Sequence, residues 1–294
     1  MHFIIVLWGF TAILGLLIKI PAMELVFFRT MLASIGLMTV ILIGKLSLRV
    51  SLIDLAKLSG TGILIAGHWI LFFGSARIST VSVCLAGMAT TSFWTSLMEP
   101  VLKKKPIELL EVFFGLLIIA GLYLIYHFEF NYVLGLTLSL GSAFLGALFT
   151  VVNSKITHHH NEFVISFYEM AAACITAGIF LFLYFYLIGS PEKINLNPSV
   201  WDWFYLVLLA FVCTVYPFSI AIELMKRISA FMMNLSVNLE PVYGIILAVI
   251  IFGDKEKMNT GFYLGTLVIL ASVITYPVIR NQLNRRKMMK LEGR

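Results

Sequence analysis

One dipeptide, Glu240-Pro241, sits inside the apolar stretch FMMNLSVNLEPVYGIILAVIIFG, residues 231–253, where neither residue fits lipid. A carboxylate at mid-membrane costs at least about 2.5 kcal/mol, and proline removes a backbone N–H while freeing the carbonyl of Val237. Such a position is tolerable only against protein or a water-filled cavity. Facing a cavity, Glu240 can take up and release a proton or bind a substrate ammonium group; otherwise it hydrogen-bonds a neighbouring helix. Arg29 lies within another apolar run and either snorkels to the surface or binds a carboxylate. Glu169 offers a second intramembrane carboxylate. His68 is suited to shuttle protons with Glu240, or to packing, and Trp69 and Trp94 offer aromatic faces to a cation, or packing volume.

Around residue 90 the hydroxyls Thr91 and Thr95, four residues apart, either form a polar wall or bond their own backbone. At about 100° per residue Asn234 and Asn238 share one face of their helix and Ser236 and Glu240 another. Glu240 is therefore expected toward the lumen and Asn238 against a helix neighbour or a ligand. Gly67 and Pro217 are candidate helix-loosening residues at matching depth, which would let two helices bend together as a gate, with Pro241 as a third break. No HExxH, GxSxG or paired aspartate stands in the spans, which argues against an intramembrane enzyme. His158, His159 and His160 are adjacent, so their side chains diverge and do not form a metal site. Cys84, Cys174 and Cys213 lie in apolar runs without a CxxC pair. No cofactor and no metal are expected.

These residues need a membrane frame. The 294 residues are 60% hydrophobic and 12% charged, against about 25% charged in soluble domains. The apolar runs are too long for barrel strands. The reading is an all-α integral membrane protein of ten transmembrane helices, at 3–20, 24–43, 57–76, 80–100, 109–127, 132–152, 163–188, 200–221, 230–252 and 259–279. With the N-terminus inside, about 15 of the 21 Lys/Arg fall in cytoplasmic loops and tail and about 5 outside. That bias puts both termini in the cytoplasm. The basic tail at 280–294 meets anionic lipid rather than nucleic acid.

The two halves repeat. Arg77-Ile78-Ser79 matches Arg227-Ile228-Ser229, Gly115 matches Gly265 and Tyr126 matches Tyr276, all 150 residues apart; Glu24-Leu25-Val26 lines up with Glu162-Phe163-Val164. At that offset Thr90 stands for Glu240, and Thr91 for Pro241. Five spans per copy is an odd number, so residues 1–128 and 129–279 form two inverted five-helix repeats, a plan common among secondary transporters.

Trp8-Gly9, the ELVFFRTMLA stretch with Arg29, the paired Arg-Ile-Ser units and LEP followed by Gly253-Asp254 resemble the drug/metabolite transporter superfamily, and within it the ten-helix EamA-type bacterial exporters. The resemblance implies a secondary transporter of the bacterial cytoplasmic membrane, monomeric or homodimeric. It implies export of amino acids or related small metabolites by alternating access around a midplane cavity, with protons as a candidate coupling partner. A membrane receptor or scaffold is the rival class, and it leaves the inverted duplication without a purpose.

Overall fold

The computed structural model describes residues 1–128, 132–188, 194–253 and 258–292; Asp254 and the junction between the two expected repeats at 128/129 lie outside them in whole or part. The described residues form helices and no strands: α1 (His2–Leu17), α2 (Ala22–Ile43), α3 (Leu52–Ile78), α4 (Val81–Met88), α5 (Thr91–Lys103), α6 (Leu109–Phe128) and α7 (Val133–Ile156). Then come α8 (Glu162–Ile188), α9 (Val200–Val207), α10 (Tyr216–Leu224), α11 (Ala230–Val237), α12 (Glu240–Phe252) and α13 (Thr260–Glu292). Eight helical stretches are long and apolar enough to cross a membrane, and His2–Leu17 and Leu109–Gly121 are shorter apolar helices, which together account for ten spans. The outer faces are apolar too: Ile35, Leu42, Phe182 and Leu187 are exposed because lipid, not water, is their solvent.

Two spans are broken. The fourth is α4 then α5, and the ninth α11 then α12. Val81 and Ala230, Met88 and Val237, Thr91 and Glu240, and Lys103 and Phe252 each stand 149 residues apart. Thr80 and Ser229, also 149 apart, cap the starts by accepting from Val83 N and Met232 N. Lys104 and Gly253 end them with positive φ, 52° and 59°. The structural register is thus 149 rather than 150, so Glu240 stands opposite Thr91, not Thr90, and Pro241 opposite Ser92. Proline starts a helix well because its missing N–H is one of those a first turn leaves unpaired anyway, which is why α12 begins at Glu240-Pro241.

The expected paired bend at Gly67 and Pro217 is not what the structure shows. Helix α3 runs unbroken from Leu52 through Gly67 to Ile78, and a side chain at Gly67 would press on Leu145 of α7. Gly67 serves helix packing. Pro217, by contrast, follows an eight-residue π-helical stretch, Leu208–Val215, between α9 and α10. Proline cannot donate to the carbonyl of Cys213, and the chain widens to longer-range bonds there, Thr214 Oγ1 donating to Leu209 O.

In the bundle α2 packs on α8, α3 on α7 and α8, α5 on α11, α6 on α13, and α1 on α12 and the π stretch. Gly9 and Gly244 bring α1 and α12 to backbone contact, since a Cβ on Gly9 would lie 3.2 Å from the Gly244 nitrogen. Beyond the last span α13 continues as helix to Glu292, and Arg280 grips Glu108 at 2.8 and 3.2 Å. The histidine run is not simply solvated: His160 Nε2 lies 3.1 Å from Asp54, which also holds Lys57 at 3.0 Å.

Candidate functional site

A cavity of about 110 Å³ opens between the halves, lined by α1, α2, α3, α7, α10, α11 and the break residues Thr91 and Glu240. Of the expected site residues, Arg29, His68, Trp69, Thr91 and Glu240 share this cavity. Trp94, Thr95, Glu169 and Asn238 do not line it.

Arg29 is only 1% exposed and does not snorkel. Its guanidinium carbon lies 3.8 Å over the Trp69 ring, and Nε donates to Thr214 Oγ1 at 2.8 Å. The π stretch explains that partner, because the Thr214 hydroxyl spends its own proton on Leu209 O and turns a lone pair to Arg29. Nη1 is buried without an acceptor. An arginine desolvated this far is held by stacking and one hydrogen bond, with donors left for an anionic ligand. The aromatic face of Trp69 expected for a substrate cation is therefore taken by Arg29.

Glu240 lines the same cavity, 8% exposed, at the first turn of α12, where the helix dipole favours negative charge. Arg29 acts on it electrostatically, yet no ion pair within 4.0 Å joins the two among the described residues. An arginine and a carboxyl group thus face one cavity without an ion pair between them.

His68 is fixed by α7. Its Nδ1 lies 2.8 Å from Ser142 O, and a carbonyl only accepts, so Nδ1 carries the proton and Nε2 of the neutral ring is the acceptor. Ser142 Oγ returns a bond to the His68 carbonyl at 2.8 Å. Phe149 and Phe72 flank the ring.

The remaining hydroxyls and amides clamp the broken spans. Asn238 Nδ2 donates to Ser92 Oγ at 2.8 Å and Asn234 Nδ2 to Thr95 Oγ1 at 2.7 Å, binding α11 to α5. Trp94 packs edge-on against Phe144 at 5.4 Å. Glu169, fully buried, sits at the α3–α7–α8 junction. Sequence reasoning missed Thr150 and Asn153 on the cavity wall and the partners Ser142 and Thr214. The spacing Gly146, Thr150, Asn153 along one face of α7 was the available signal, and it is weak because small and hydroxyl residues also mark ordinary helix contacts.

Fold and site define a multi-pass helical membrane protein whose interrupted helices meet at a largely apolar cavity that holds a few polar groups. Residues 133–276 match the model of the EamA-like transporter family. The second half of the chain is thus similar to the membrane transporters of this family, within the drug/metabolite transporter superfamily. Members of the family are transporters, not enzymes. A crystal structure described only as that of a protein has the same fold, with TM-score 0.72 and 14% identity over 96% of each chain. No curated protein matches the sequence.

Proposed function

We propose that the protein is a secondary transporter that exports amino acids or similar zwitterionic metabolites across the bacterial cytoplasmic membrane by alternating access. The observation that carries this reading is the placement of Arg29 and Glu240 on one cavity without an ion pair between them. A zwitterion satisfies both: its carboxylate takes the free guanidinium donors and its ammonium group the Glu240 carboxylate. Phe149, Phe218 and Met233 leave apolar wall for a side chain. Residues 1–128 and 129–279 act as inverted copies, and the matched breaks of the fourth and ninth spans, 149 residues apart, support that plan. With the termini cytoplasmic, the cavity lies toward the inner ends of α10 and α11, at Met225 and Met233, as suits loading from the cytoplasm.

Counterflow of labelled amino acids into proteoliposomes tests the reading. Glu240→Gln should raise the apparent KM for amino acids at least tenfold and leave the weaker transport of des-amino analogues within twofold. Loss of pH-driven flux with amino-acid exchange intact would instead make Glu240 a proton carrier. The absence of counterflow for every amino acid tried, in a folded wild type, would reject the substrate class.

A further inference from the structure

Beside the cavity, and separate from the Arg29–Glu240 pair, lies a second polar cluster that the substrate reading does not use. Glu169 and Asn153 are both 0% exposed, and all four of their side-chain polar atoms, both carboxylate oxygens and both amide atoms, are buried without a hydrogen-bond partner. The Glu169 carboxylate stands next to the Asn153 amide and the Thr61 hydroxyl, which reach it only as long, weak hydrogen bonds. Thr61 spends its proton on Leu58 O at 2.8 Å, which leaves its oxygen to face inward as an acceptor. Thr157, the residue that ends α7 one turn beyond Asn153, has an unpartnered hydroxyl as well. Native interiors pair more than nine in ten buried polar groups, so a cluster of four atoms without a close bond points to a further partner.

The chemistry of the missing partner follows from the donors present. Glu169, Asn153 and Thr61 contribute hard oxygen atoms, and the Asn153 amide also brings N–H donors. An anion is excluded by the carboxylate. A transition metal finds no ligand set, since no three His, Cys, Asp or Glu come together among the described residues. Nor does a fixed charge of the protein neutralise Glu169. On the helices packed against it Lys57 holds Asp54, Lys155 holds Leu102 O, Lys226 holds Glu162 and Glu223, and Arg29 is stacked on Trp69; Glu24 accepts from Asn195, Arg77 caps α1 and His68 is tied to Ser142.

The packing shows that the cluster is built and not a surface accident. Gly62 of α3 lets α8 approach until a Cβ there would stand 2.6 Å from the Glu169 carbonyl oxygen, so Glu169 is pinned between two helices. Asn153 also lines the cavity, which gives the cluster a polar doorway to the substrate space.

We propose that Glu169, with Asn153 and Thr61, is the site of a single co-moving cation, a proton or an alkali ion, that couples transport to an ion gradient. This rests on the transporter reading above, and deepens it by assigning substrate and ion to separate carboxylates. Cation arrival neutralises Glu169 and removes the cost of its burial, so ion occupancy biases the α3–α7–α8 junction between its two arrangements.

The test uses the full chain in proteoliposomes with a labelled amino acid. One arm imposes a proton gradient in sodium-free choline buffer, a second a sodium gradient at equal pH, and a third measures counterflow with no gradient. Wild type should accumulate solute at least fivefold faster under one of the two gradients. Glu169→Gln should lose that acceleration while counterflow stays within twofold. Asn153→Ala, which keeps the carboxylate, should weaken the dependence on the driving ion tenfold, and serves if the glutamine variant does not fold. A readout without flux accompanies these: the melting temperature of the detergent-purified protein should rise with sodium or shift with pH in wild type and stay flat in Glu169→Gln. Gradient acceleration that survives Glu169→Gln, or a flat melting temperature in wild type, overturns the proposal, leaving water as the occupant. Ion-dependent melting without any counterflow keeps the site and faults the substrate reading instead.

Discussion

Arg29 and Glu169 are each the eighth residue of a helix, and those two helices, α2 and α8, pack on each other. Position is shared and circumstance is not. Arg29 on the cavity wall meets Trp69 and Thr214, whereas Glu169 meets Asn153 and Thr61 at longer range, and neither of its oxygens makes a close hydrogen bond. Both keep unpaired polar atoms, Arg29 its Nη1 and Glu169 both oxygens, but Arg29 also has a close hydrogen bond and an aromatic ring beneath it. The first half of the chain thus places a buried, partnered arginine on the cavity wall, and the second places Glu240 on that wall and Glu169 behind it.

The sharpest way to break this comparison is to make both residues apolar. Arg29→Leu removes a stacked, hydrogen-bonded group and leaves Glu240 alone in the cavity, so it should reduce kcat/KM for amino acids by 100-fold or more and lower stability by about 3 kcal/mol. Glu169→Leu removes an unsatisfied carboxylate and should raise stability by about 1–3 kcal/mol while abolishing ion coupling. Thermal melting in detergent reads both signs, and a destabilised Glu169→Leu would mean that the carboxylate has partners after all. Thr214→Val tests the Arg29 side more gently. A hydrogen bond to a charged group contributes about 1.5 kcal/mol, so the KM for amino acids should rise about tenfold with kcat little changed. The smallest effect belongs to the clamp between the broken spans: a double-mutant cycle of Asn238→Ala and Ser92→Ala should give a coupling of about 0.6 kcal/mol, as membrane hydrogen bonds do. Coupling near zero would show that the break in the ninth span holds without it.

Much of this was legible in the residues. Ten spans, the intramembrane Glu240, Arg29 and His68, and a break at Pro241 all follow from the price of putting charge and imide into hydrocarbon. Periodicity put Asn234 and Glu240 on opposite faces of one helix, yet both line the cavity, because the span is broken between α11 and α12. It did not reveal that the fourth span is broken, because Ala89-Thr90 contains no proline or glycine to announce it. Gly67 misled for the converse reason: glycine that loosens a helix and glycine that admits a neighbouring side chain look alike until Leu145 of α7 is seen against it.

Chain chemistry by itself settled that the protein lives in lipid and which charged groups must hide from it, since a single residue's transfer cost depends on its type and the run around it. Three-dimensional packing decided the rest. Whether Arg29 lies over Trp69, whether Thr214 turns toward it through a π-helical stretch, and whether Glu169 finds a partner depend on helices far apart in sequence, and partner supply is a property of the assembled bundle that no local pattern encodes.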